Sequence, residues 1–282
     1  MIRKIEFTKL VAAGNDFLLI DNRSSQISGR AMAALAKRMC DRKFGAGSDG
    51  LLLVERSKSA DFKMRIFNVD GSEAEMCGNG SRCFALYCSR LKNRIVSDLK
   101  IQTLAGMIRA HVNKDQVKVN LTAPKDLKLD IPIKVNGRTL RVNFINTGVP
   151  HAVIFAQGLS SMEIVDLGRQ IRYHKAFAPK GTNVDFVEVV GEKYISIRTY
   201  ERGVEDETLA CGTGSVASAL ITGYKIEQNL ALKPQGIVQK SFNVQTRGGE
   251  ILNICFILKG KAFSDVWLEG RATIVYKGVW YV

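Results

Sequence analysis

The chain has 282 residues, 46% of them hydrophobic and 24% charged, with a formal net charge of +14. That apolar content excludes disorder as the dominant state, and single cores stop growing at about 250–300 residues, so two domains are expected. No apolar run reaches the roughly 18–20 residues of a membrane-spanning helix, and the start Met1-Ile-Arg-Lys-Ile-Glu-Phe7 lacks a secretory core, so a cytoplasmic protein with reduced thiols is expected.

Short strand patterns dominate in chain order. Residues 5–10 alternate with period two, and 17–20 and 51–54 read as buried strands. Residues 62–67 alternate again and run to the Asp70-Gly71 turn signal. Further strands are expected at 101–103, 107–112, 117–121, 141–145 and 152–155, then at 184–189, 194–200, 251–257, 266–268 and 272–276. Helices are few. Ser28 is the expected N-cap of one that begins near Ala31, residues 164–173 form a second, and two more begin at Ser81 and Ser215 after Gly-rich turns. The stretch 122–136, with two prolines and several lysines, reads as a solvated linker between domains. Many strands with a few helices out of regular alternation point to an α+β class rather than a doubly wound or (β/α)8 layout.

The charge carries little information. Residues 1–120 hold 21 basic and 12 acidic residues and the remainder 20 and 15, so the excess is shared. No run of five basic residues and no nucleic-acid-binding signature accompanies it.

An internal repeat is more informative. Met76-Cys77-Gly78-Asn79-Gly80-Ser81 returns 134 residues later as Ala210-Cys211-Gly212-Thr213-Gly214-Ser215, each behind an acidic stretch that follows a glycine. A helix N-terminus leaves backbone N–H groups unpartnered and carries partial positive charge, and glycines let an anion approach them closely. The same field lowers a thiol's pKa. Two such motifs on opposite sides of a carboxylate would set its α-carbon between two sulfurs, an arrangement suited to a two-base stereoinversion in which one thiolate takes the α-proton and the other thiol returns one. A Cys77–Cys211 disulfide would waste both anion nests, although oxidation could join the pair and switch the chemistry off. Zinc ligation lacks the spacing, since Cys77, Cys83 and Cys88 do not fit and only three histidines exist. A single thiol nucleophile with His151 as its base leaves the second motif unexplained. Cys40, Cys83, Cys88 and Cys255 read as small core residues.

These motifs resemble those of diaminopimelate epimerase, a pyridoxal-phosphate-independent epimerase family. The similarity is carried by Gly14-Asn-Asp-Phe17, Phe67-Asn-Val-Asp-Gly-Ser-Glu-Ala-Glu-Met-Cys-Gly-Asn-Gly-Ser-Arg82, Gly181-Thr-Asn-Val-Asp-Phe186 and Tyr200-Glu-Arg-Gly-Val-Glu-Asp-Glu-Thr-Leu-Ala-Cys-Gly-Thr-Gly-Ser215, in order over nearly the whole chain. The resemblance implies two pseudo-symmetric domains, each a mixed β-sheet or barrel wrapped around a central helix, with the active site in the cleft between. The boundaries expected are 1–122, joined by a C-terminal strand at about 268–282, and 123–267.

It implies that Cys77 and Cys211 are the acid/base pair, with His151 and Glu201 beside the reacting centre. Asn15, Asn68, Asn183, Glu201 and Arg202 would hold the substrate, and Gly78, Asn79, Gly212 and Thr213 would bind its carboxylate. The implied reaction interconverts LL- and meso-diaminopimelate without metal or organic cofactor, for lysine and peptidoglycan synthesis. A homodimer is left open, and neither nucleic acid nor membrane is an expected partner. The alternatives are a broader racemase acting on glutamate or proline-like substrates and, more remotely, a basic nucleic-acid-binding protein on the same scaffold. Two departures bear on specificity: Val149 stands where many members have Asn before Pro-His, and Asp49 is followed by Gly50 where some carry Gln. Asn146 is the candidate substitute for the first.

Overall fold

The computed structural model describes residues 4–25, 27–93, 96–229 and 236–281; Met1–Arg3, part of the N-terminal segment read above for a leader, lie outside them. The chain divides into two compact units, Met1–Asn120 with Glu269–Val282, and Leu121–Leu268. No helix among the described residues is long and apolar enough to cross a membrane.

The first unit contains β1 (Lys4–Ala12), β2 (Asn15–Asp21), α1 (Gly29–Cys40), β3 (Gly50–Glu55), β4 (Phe62–Asn68), β5 (Glu73–Ala74), α2 (Gly78–Leu91), β6 (Val96–Thr103), β7 (Gly106–Asn113) and β8 (Gln116–Asn120). The sheet pairs β1 with β2 antiparallel, β2 with β3 parallel, β3 with β4 antiparallel, β4 with β6 parallel, and β6, β7 and β8 antiparallel in turn. It is therefore mixed, and its two parallel steps are the ones bridged by α1 and α2, because a parallel connection needs a crossover. Leu18, Ile20, Leu51 and Leu53 pack with Met32, Ala36 and Met39 of α1 in one core. Ser28 stands at the N-cap of α1 with extended backbone, but its side chain makes no capping bond.

Helix α2 is buried almost all round, from Gly78 through Leu86 and again at Cys88 and Ser89, and contacts strands throughout its unit. A helix without a solvent face must be central rather than peripheral. It starts at Gly78, earlier than the expected Ser81, because the glycines form its first turn instead of a preceding loop.

The second unit repeats the plan with β9 (Lys125–Val135), β10 (Arg138–Asn146), β11 (Pro150–Phe155), α3 (Val165–Arg172), β12 (Asn183–Gly191), β13 (Tyr194–Glu201), β14 (Asp206–Thr208), α4 (Gly212–Asn229), β15 (Ile237–Gln245), β16 (Ile251–Lys259) and β17 (Ala262–Arg271). Again β11 and β12 are parallel across α3, and β13 and β15 are parallel across α4. Helix α4 packs on β10, β11, β12, β13, β15 and β16 and, like α2, is the central helix of its unit. The chain then adds β18 (Thr273–Tyr281) antiparallel to β1, as β9 is added to β10. Each unit thus begins its sheet on a strand that follows the other unit in sequence.

The stretch 122–136, expected as linker, is mostly strand. Its Leu127, Leu129, Ile131, Ile133 and Val135 alternate with polar residues, and only this alternate set turns inward. Pro132 lies in β9 without breaking it, since among the described residues β9 pairs only with β10. Asp126 and Asp130 adopt positive φ beside two register shifts, so the strand bends as it pairs. The strands β5, β14 and β15 were not expected from sequence; the first two are only two and three residues long. Among the remaining cysteines, Cys40, Cys83 and Cys88 are buried as expected, but Cys255 is half-buried on β16 and its Sγ lies 3.0 Å from Asn253 Oδ1.

Candidate active site

Both cysteines sit where their helices start. Cys77 is the N-cap of α2: its backbone is extended, its carbonyl accepts from Ser81 N at 2.8 Å, and its Sγ accepts from Gly80 N at 3.4 Å. Cys211 directly precedes α4, and its carbonyl accepts from Ser215 N at 2.9 Å. The two differ in exposure. Cys77 is half-buried, whereas Cys211 is 6% exposed. Burial pushes the Cys211 thiol well above the usual thiol range, and the nearby carboxylates of Glu201 and Asp185 push it further; the Thr213 and Gly214 hydrogen bonds oppose this.

Strand register shows which residues correspond in the two units. Phe17 of β2 is beside Gly50 of β3, which is beside Asn68 of β4. His151 of β11 is beside Asn183 of β12, and the next step of that register, Val184 beside Tyr200, sets Asn183 against Glu201. Cys77 and Asn79 therefore answer to Cys211 and Thr213, Phe17 to His151, Gly50 to Asn183, and Asn68 to Glu201.

In the first unit the candidate residues form a chain around α2. Arg82 is wholly buried and its Nη2 donates to Asn79 Oδ1 at 2.6 Å. Asn79 Nδ2 donates in turn to Asn15 Oδ1, and Asn15 Nδ2 to Asp49 Oδ2 at 3.1 Å. Sequence reasoning missed Arg82, which fixes the orientation of both amides; an arginine inside an otherwise apolar helical run was the available signal. Asn68 lies apart from this chain and donates to Ser72 Oγ at 2.9 Å.

The Asn15 turn is itself anchored by charge. Asp16 accepts from Arg42 and pairs with Lys9, and Arg42 also binds Asp49 at 2.7 Å. Burial would raise the Asp16 carboxyl, but the Arg42 and Lys9 contacts outweigh it and hold the pKa at about 2. A depressed carboxylate stabilises the fold above its unfolded pKa, and that contribution disappears as pH falls from about 4 through 2. After solvent screening it amounts to about 1 kcal/mol. Asp16→Asn is accordingly expected to lower stability by about that much at pH 7 and to narrow the gap from wild type at pH 2.5, as read by urea unfolding at the two pH values.

In the second unit His151 is fully buried on β11, one residue ahead of the strand expected at 152–155. Its Nδ1 lies 2.7 Å from Asp185 Oδ2 and its Nε2 3.0 Å from Thr213 Oγ1. Thr213 Oγ1 is 3.4 Å from Cys211 Sγ. Asn183 Nδ2 donates to Pro150 O at 3.0 Å, and its Oδ1 accepts from Arg202 N at 2.8 Å, locking the amide between the start of β11 and the turn after β13. Arg202 Nη1 reaches Lys180 O at 3.5 Å; burial and the neighbouring Arg172 lower its pKa, against the opposing pull of Glu205. Asn146 accepts from Gly148 N at 3.0 Å and is occupied in its own turn, while Val149 is half-buried beside it.

The diaminopimelate epimerase family profile matches residues 7–126 and 143–261, the first segment mostly in the first unit and the second within the other. The chain belongs to the diaminopimelate epimerase family. Diaminopimelate epimerase of Aquifex aeolicus is 41% identical over 285 residues, covering 97% of this chain and 97% of the relative. The Archaeoglobus fulgidus diaminopimelate epimerase is 40% identical over 98% of this chain and 96% of the relative. Among solved structures, a hydroxyproline epimerase from Agrobacterium vitis with trans-4-hydroxy-L-proline bound superposes with a TM-score of 0.75 at 15% identity, over 99% of this chain and 93% of that one. A PhzF-family phenazine biosynthesis protein from Bacillus anthracis gives the same TM-score at 16% identity, over 99% and 100%. These last two are similar in fold alone. The activity is that of a diaminopimelate epimerase, an isomerase of lysine biosynthesis, which sets aside the broader-racemase and nucleic-acid alternatives.

Proposed function

We propose that the epimerase reaction interconverts LL- and meso-diaminopimelate by a two-base exchange, with Cys77 and Cys211 as the two acid/bases and no metal or organic cofactor. One thiolate removes the α-proton, and the opposite thiol supplies a proton to the other face. The observation that carries this reading is the repeated placement of a cysteine at the start of a buried central helix, each followed by Gly-x-Gly. The first-turn amides of Gly78, Asn79, Gly212 and Thr213 stabilise the charge that develops on the carboxylate as the α-proton leaves.

His151 and Glu201 govern proton traffic around Cys211, a role supported by the Thr213 bridge and by the effect of Glu201 on the thiol. Asn15, Asn68, Asn183 and Arg202 hold the distal amino-carboxylate. The protein works in the cytoplasm in this reading, and a homodimer is the assembly supported by the exposed Val275, Val279 and Tyr281 of β18.

The test is the fate of the α-hydrogen. Reduced, chelator-treated protein incubated with LL-diaminopimelate in deuterated water is expected to give meso product with deuterium at the inverted carbon. Inverted product that keeps its original hydrogen would overturn the exchange, and loss of rate on chelation would overturn the metal-free part.

A further inference from the structure

The two cysteine sites are not chemically equivalent. Register matches Leu52 of β3 to Asp185 of β12, and geometry agrees: a Cβ on Gly80 would meet Leu52 Cδ2 at 3.3 Å, and one on Gly214 would meet Asp185 Oδ1 at 2.3 Å. At these matched positions the first unit has Leu52 and Phe17, both apolar, and the second has Asp185 and His151, both fully buried. A buried carboxylate bonded to a histidine costs desolvation and is weak evidence for stability, so its presence in one repeat alone calls for a chemical reason.

We propose that Asp185 is a positioning residue for proton transfer at Cys211. Both its oxygens accept hydrogen bonds, Oδ1 from Thr199 Oγ1 at 2.7 Å and Oδ2 from His151 Nδ1 at 2.7 Å. With Nδ1 donating, the His151 Nε2 lone pair points at Thr213 Oγ1, which donates to it and accepts from the Cys211 thiol. When the thiolate forms, the Cys211 S–H bond breaks and its proton passes to Thr213 Oγ1, while the proton of Thr213 passes to His151 Nε2. The products are a thiolate and an imidazolium, and Asp185 compensates the imidazolium without taking its proton. The charged and titratable groups facing Cys211 are then Asp185 on β12, His151 on β11 and Glu201 on β13, with Thr213 of α4 as the bridge. Two of the three are carboxylates that oppose the thiolate, so the imidazolium is the charge that offsets them. At the positions matched to His151 and Asp185 the first unit carries the apolar Phe17 and Leu52, so this relay is built from second-unit residues and gives the proton transfer at Cys211 its own pH response.

The inference rests on Cys211 acting as an acid/base, and the experiment separates the two. Nitrogen-15 histidine spectra of the wild-type protein have only three residues to resolve, His111, His151 and His174. His151 is expected as the Nδ1–H tautomer; the Nε2–H tautomer would overturn the proposal whatever the activity. Asp185→Asn is expected to lose that tautomer, lower kcat/KM about 10²-fold or more, and move the rise of its pH profile to lower pH, because the imidazolium loses its counter-charge and the thiol loses a carboxylate that pushes it up. An Asp185→Asn protein with unchanged rate and profile would also overturn it. Thr213→Val breaks the bridge without touching the buried pair and is expected to lose rate with the rise displaced to higher pH, because the hydrogen bond that holds the thiol down is gone, with Thr213→Ser recovering most of the loss. Equal loss in Val and Ser would assign Thr213 to packing and overturn the path.

Discussion

Cys77→Ala and Cys211→Ala are each expected to lose inversion of diaminopimelate by about 10³-fold or more, within the range that a positioned acid or base contributes. Each variant keeps one competent thiol. In the two-thiol mechanism proposed above, that thiol is the one assigned to the α-hydrogen of one stereoisomer and is expected to remove and return it from the same side. The informative readout is therefore exchange against inversion in deuterated water: each variant is expected to exchange the α-hydrogen of one isomer, opposite isomers for the two variants, with inversion absent from both. Substantial inversion by either variant would remove the two-thiol mechanism. Exchange of both isomers by one variant would assign both faces to a single base.

Gly214→Ala is expected to destabilise the second unit by about 3 kcal/mol, whereas Gly80→Ala at the matched position is close to neutral. The added methyl at Gly214 would stand 2.3 Å from Asp185 Oδ1, a fully buried carboxylate held by His151 and Thr199. That carboxylate cannot retreat without breaking those bonds. At Gly80 the nearest atom is a terminal methyl of Leu52 at 3.3 Å, which yields by a few tenths of an ångström, and alanine gains up to about 1 kcal/mol of helix propensity in return. Urea unfolding of the two variants against wild type makes the comparison. Similar losses would mean that the close approach at Gly214 relaxes cheaply. The pair also shows why one sequence pattern serves two purposes: the third-position glycine in the first unit completes a helical turn, and in the second it also admits a carboxylate.

Much of the fold was legible as local pattern. The alternating and continuous apolar runs located most strands to within a few residues, and the Cys-Gly-x-Gly-Ser motifs marked the starts of both central helices. The failures have specific causes. In β9 the lysines and Pro132 masked an alternation that was present, because an edge strand pairs on one side and tolerates both. In β5 and β14 two or three paired residues are too few for any period to register. His151 reads as a loop residue by itself, since Pro150 precedes it; only pairing with Asn183 shows it inside a sheet.

The sequence by itself determined the chemistry on offer: two thiols, each tied to a helix start by adjacent glycines, within a repeat whose halves share their spacing. That much is short-range, because a cysteine and the amides of its own first turn are fixed by a handful of consecutive dihedral angles. Only the tertiary structure decided that the two thiols have different surroundings. His151, Asp185 and Thr213 are 34 and 62 residues apart along the chain, and they meet because β11 and β12 run parallel with α4 packed against them. The matched strands of the first unit bring Phe17 and Leu52 to the same places. A repeat in sequence thus predicts a repeat in backbone, whereas the proton chemistry at each cysteine depends on side chains delivered by neighbouring strands, which local spacing does not encode.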